Sequence, residues 1–74
     1  MKFVVCISRI GFGDFSTADL TLGRLYEVVA GPDQHGMLRL VDDSGEDYLY
    51  PADVFRPVEV SSQTAAQLHE VLAA

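Results

Sequence analysis

Residues 19–59 constrain the fold more than any other part of this chain. They carry three apolar-patterned segments separated by two glycine-bearing turns, then a proline-marked corner and one more short apolar segment. Residues 24–30 place Tyr26, Val28 and Ala30 against Arg24 and Glu27, though Leu25 and Val29 blur the alternation. Residues 37–42 place Leu38 and Leu40 on one face and Arg39 on the other. The turn Asp43-Ser44-Gly45 between the third and fourth segments puts glycine where a three-residue hairpin needs positive φ. Residues 46–50 form the fourth strand, and Pro51 ends it because proline has no N–H to give a ladder. Residues 51–54 fit one turn of 3₁₀ helix. Residues 55–60 form a fifth strand, which Pro57 confines to a sheet edge.

The flanks complete this reading. Residues 3–8 are β-branched and aromatic, and predict a first strand rather than a leader segment, because the apolar run breaks at Ser8-Arg9. Both faces of that strand are apolar, so it is expected to be covered on two sides or to meet the C-terminal segment. Residues 9–18 read as a loop in which Phe12 and Phe15 tuck underneath as a satellite core, the alternative being that they stand exposed as contacts. Beyond Ser61, residues 63–73 are helix formers with Ser61 or Ser62 as the cap. Ala65, Leu68, Val71 and Leu72 fall on one stripe, which must pack on the barrel or on a second copy.

The fold class is thus mainly β: a small five-stranded barrel over residues 1–60, with a C-terminal α-helix over 61–74. At 74 residues the chain makes one domain with a small core. A barrel of this size has a filled interior, so any site is expected on its surface. The 11 acidic residues outnumber five bases (Lys2, Arg9, Arg24, Arg39 and Arg56), for a net charge of -6. The bases are scattered singly, which argues against nucleic acid and anionic membrane as partners. No apolar run is long enough to span a bilayer. A single cysteine excludes an internal disulfide and fits a reducing, cytoplasmic setting.

Two segments resemble SH3 domains. Leu20-Thr21-Leu22-Gly23-Arg24-Leu25-Tyr26-Glu27-Val28-Val29 is similar to that family's apolar stretch, glycine turn and strand. Leu49-Tyr50-Pro51-Ala52-Asp53-Val54-Phe55 is similar to its ending. The resemblance covers about forty residues and implies an SH3-like barrel. The chain also resembles small bacterial proteins of unknown activity that carry LTLGRLYEV and DDSGEDYLYPADVF segments, which implies a stand-alone cytoplasmic protein. The proline-rich-peptide groove of SH3 domains is not implied. The first strand has no tyrosine, the chain has no tryptophan, and Val54 stands at the corner tyrosine; of the groove set only Pro51 matches.

The acidic run is the candidate site. Asp42, Asp43, Glu46, Asp47 and Asp53 lie close together with no base between them, beside Tyr48, Tyr50 and Pro51. These eight residues are the expected contact face for another protein with a basic surface. The same pattern is also compatible with a solvated hairpin or a bound cation, but it lacks a calcium-loop spacing, and no metal or cofactor is assigned. The tyrosines are equally readable as core residues with hydroxyls at the rim. Cys6 is mid-strand among apolar residues with no adjacent base, and His35 and His69 have no second ligand or nucleophile nearby, so no enzyme is expected. The expected function is a non-catalytic protein-interaction module. A structural homodimer through the helix stripe is the alternative, and a small enzyme using Cys6 with His35 or His69 is a third.

Overall fold

The computed structural model describes residues 2–8 and 19–73. It contains five strands, β1 Lys2–Cys6, β2 Leu25–Ala30, β3 Met37–Val41, β4 Asp47–Pro51 and β5 Phe55–Val58, a 3₁₀ turn over Ala52–Val54, and one helix, α1 Ser62–Ala73. The expected loop at residues 9–18, with Phe12 and Phe15, lies outside the described residues. The other elements fall within a few residues of their sequence-based bounds.

All strands are antiparallel in one sheet of order β4-β3-β2-β1-β5. β4 and β5 are its two edges, and no ladder joins them, so the sheet is open. Pro57 sits on the edge strand β5, where its missing N–H costs no ladder bond. Between Val28↔Leu40 and Ala30↔Arg39, β2 advances two residues while β3 advances one. This bulge at Val29 bends the sheet.

The bend gives the sheet an inner and an outer face. The inner face holds the main core: Val4, Cys6, Leu20, Tyr26, Leu38, Leu40, Tyr50, Val54 and Phe55. Phe55 lies between two tyrosine rings, edge-to-face, with centroids 6.3 Å from Tyr26 and 6.4 Å from Tyr50. Phe3 points the other way, on the face of its partner Glu27. It is buried, as is Ala65 of α1. The helix lies on this outer face, against β2, where His69 Nδ1 is 2.5 Å from Glu27 Oε1. The first strand is therefore covered on both sides, which is why both its faces are apolar. Along the helix stripe, Ala65 is buried, Leu68 and Leu72 are half-buried, and Val71 is 69% exposed. Ser61 caps the helix: its hydroxyl oxygen accepts from the Thr64 N–H at 3.2 Å.

Candidate functional site: the acidic hairpin and an apolar groove

Two regions qualify as candidate sites, and they lie in different parts of the molecule. The first is the acidic hairpin. Its turn forms as the sequence predicts: Gly45 has φ of 86°, and its N–H donates to Asp42 O at 3.0 Å. Of the aspartates before the turn, Asp42 points into the protein and Asp43 stays at the surface. Asp42 is 4% exposed and is the one buried charged residue among those described. Its Oδ2 accepts from the Tyr50 hydroxyl at 2.7 Å, and its Oδ1 from the Ser44 N–H at 2.9 Å and the Ser44 hydroxyl. Asp43 Oδ1 accepts from the Tyr26 hydroxyl at 2.8 Å and from the Arg24 guanidinium. Its Oδ2 accepts from Thr21 Oγ1 at 2.8 Å. The Asp43 N–H donates to Asp19 O at 2.8 Å, which ties the segment before β2 to the turn.

These two carboxylates thus anchor the hydroxyl ends of two core tyrosines. Burial, with the bond to Asp42, raises the Tyr50 pKa well above the ordinary 10.0. Burial is also the main cause of a raised Tyr26 pKa, with Asp43 adding to it. Arg24 lies over the Tyr26 ring, 5.3 Å from its centroid. The absence of bases from the run is a feature of the chain order alone: Arg24 arrives from beside β2 and Arg39 from β3.

The remaining predicted residues are dispersed. Asp47 pairs with Arg39 at 3.3 Å, an exposed contact. Glu46 accepts from the Tyr48 hydroxyl at 2.8 Å, which raises the Tyr48 pKa. Tyr48 is 49% exposed and its neighbour Leu49 48%. Tyr50 is buried. Pro51 is half-buried at the far end of β4, and Asp53 is exposed on the 3₁₀ turn beyond it. The structure therefore groups Glu46, Asp47 and Tyr48 on the free β4 edge, holds Asp42 and Tyr50 inside, and leaves Asp53 at the opposite end of the strand.

The second region is an apolar groove of about 630 Å³ that opens on the inner face at the start of β1. Its floor is Val4, Val28, Leu38 and Phe55. One wall is Gly31-Pro32, in the loop between β2 and β3; the other is the chain from Pro57 to Val60. Gly31 has φ of 100°, and a Cβ there would stand 2.7 Å from Met37 O, so only glycine allows this wall its path. Asp33 holds the rest of the loop, its Oδ1 accepting from the His35 and Met37 N–H groups at 2.8 and 3.0 Å. Those two bonds lower its pKa. The groove's floor is the top of the core: Val4, Leu38 and Phe55 are buried and Val28 is half-buried beside them. Sequence periodicity marks Val28 and Leu38 as inward-facing, but not that the β2–β3 loop and the chain from Pro57 to Val60 flank them as walls.

Cys6 is buried on the inner face and its thiol points to Ser8 O at 3.4 Å, whereas His69 contacts Glu27 on the outer face and His35 is exposed in the β2–β3 loop. Among the described residues no group of three or more His, Cys, Asp or Glu side chains is placed to hold a metal ion. Among them, too, no helix is long and apolar enough to cross a membrane. Comparison of the chain with protein-family models, curated proteins and solved structures finds no match.

Proposed function

We propose that this chain is a non-catalytic interaction module that works in the cytoplasm and engages a protein with a basic surface through the outward side of the acidic hairpin. The observation that carries this reading is the grouping of Glu46, Asp47, Tyr48 and Leu49 at an unpaired sheet edge, where two large side chains stand half exposed beside two carboxylates. Tyrosine is a frequent anchor of protein interfaces, and a rim of acids steers a basic partner. We read the open sheet as an SH3-like barrel whose last closure is incomplete. The strand order, the bulge that bends β2 and the 3₁₀ turn between β4 and β5 support that reading. The site differs from the SH3 peptide groove, and its ligand is not expected to be proline-rich.

The test is affinity capture with cross-linking, comparing the natural chain with a Glu46→Lys, Tyr48→Ala double variant. Both side chains are exposed, so the variant keeps its melting temperature and loses basic-surfaced partners. Equal capture by the two proteins overturns the proposal. Asp43 is the wrong residue to reverse, because it holds Tyr26, Thr21 and Arg24. A structural homodimer through α1 is the second reading, favoured by the exposure of Val71 on the helix. Sedimentation of Val71→Asp tests it, since that change leaves the docked side of the helix alone; a monomer in both samples removes it.

A further inference from the structure

We propose that the apolar groove is a binding site for an amphipathic carboxylate, with an aliphatic chain lying on Val4, Val28, Leu38 and Phe55 and the head group meeting the Lys2 ammonium. Three observations lead there. The first is size and lining: about 630 Å³ falls inside the roughly 300–1,000 Å³ of small-molecule sites, and the floor is wholly aliphatic and aromatic.

The second concerns what the walls lack. The Ile7 N–H bonds Val54 O, and antiparallel pairing alternates from there, so Arg56 and Val58 spend their backbone groups on β1. Phe55, Pro57 and Glu59 turn theirs outward. Pro57 has no N–H, and the Phe55 N–H is already bonded to Ala52 O. An extended peptide laid along this wall would bury amides with almost no partners, at a cost of about 1–3 kcal/mol for each unpaired group. A hydrocarbon chain has none to pair.

The third is charge. Of the four bases among the described residues, Arg24 and Arg39 are engaged by carboxylates and Arg56 by backbone carbonyls. Lys2, which lines the groove, has no ion pair or hydrogen bond among the described residues. Glu59 also lines it, one position beyond the Phe3↔Val58 pair, and is not within ion-pair distance of Lys2. The mouth thus presents one unneutralised cation beside one anion, and an anionic head settles on the Lys2 side.

The probe is sodium decanoate, kept below its micelle concentration and titrated into the ¹⁵N-labelled chain, with decanol as the uncharged control. Saturable amide shifts confined to Val4, Val28, Leu38 and Val58 are expected. Lys2→Gln should weaken decanoate about fivefold, the size of an exposed ion pair, and leave decanol unchanged. Glu59→Gln should tighten decanoate. Both substitutions are at exposed positions and leave the fold intact. Absence of saturable shifts, or shifts mapping outside the groove, overturns the site. Saturation at the groove with no response to Lys2→Gln overturns the head-group assignment.

Discussion

The acidic hairpin and the apolar groove are opposites in how they announce themselves. The hairpin is conspicuous in the chain, a run of carboxylates with tyrosines beside it. Once folded, its two leading aspartates are spent on tyrosine hydroxyls, Asp42 buried and Asp43 at the surface. The groove has no motif, and its residues come from β1, β2, β3, β5 and the loop after β2. Folding uses up much of the chemistry of the first and creates the second from positions that look like ordinary core. A cluster of charge in one dimension is therefore a poor guide to what a partner meets.

The comparison can be broken experimentally. If the hairpin carboxylates are structural, Asp42→Ala should have the largest effect on stability. It removes the carboxylate that accepts from the buried Tyr50 hydroxyl and takes away two bonds from Ser44, for a loss of about 3 kcal/mol in urea unfolding. In a domain this small that is most of the stability. A change below about 1 kcal/mol would return Asp42 to the surface chemistry that its sequence context implies.

The glycines of the two regions offer a graded pair. Gly31→Ala places a Cβ against Met37 O at a positive φ, and should cost about 2–3 kcal/mol. Gly45→Ala, at φ of 86° with open space around it, should cost only about 1 kcal/mol, the conformational penalty alone. Thermal melts of the two variants at equal concentration check the order. The reverse order would mean that the groove wall yields more easily than the hairpin.

The tyrosines add a pH dependence with a definite sign. Tyr50 and Tyr26 are neutral in the fold and have raised pKa values. Below the ordinary value of 10.0 both folded and unfolded chains keep the proton, and the stabilisation is fully present. Above it the unfolded chain ionises first, so stability falls as pH rises toward the folded values. Urea midpoints between pH 8 and 11 should drop above about 10 in the natural chain and less steeply in Tyr50→Phe. The smallest effect belongs to the exposed Arg39–Asp47 pair. Arg39→Ala should change stability by less than about 0.5 kcal/mol, and a larger loss would mark the β4 edge as structural too.

Much of the fold was legible in the chain because its elements are punctuated locally. Gly45 sets the hairpin, Pro51 ends β4, Pro57 marks an edge, and Ser61 caps the helix. The two apolar faces of β1 signalled a layer on each side, and Phe3 against the helix side with Val4 in the main core is what that meant. The candidate sites were less legible, because both depend on contacts between distant residues. Arg24 reaches Asp43 and Tyr26 reaches it too, from beyond an intervening loop and strand. Nothing in the local sequence distinguishes a carboxylate that accepts a buried hydroxyl from one that faces water. The groove depends on how the β2–β3 loop and the chain from Pro57 to Val60 stand beside the start of β1, which periodicity does not encode.

The two tyrosine–aspartate couples also bear on ancestry. Tyr26 with Asp43 and Tyr50 with Asp42 are separated by 17 and 8 residues, and each couple loses its bond if one member changes alone. Related chains should therefore keep or exchange each couple as a unit, Tyr50 to Phe in company with Asp42 to an apolar residue. That correlated pattern, rather than overall identity, is the fingerprint by which distant kin of this chain would be recognised.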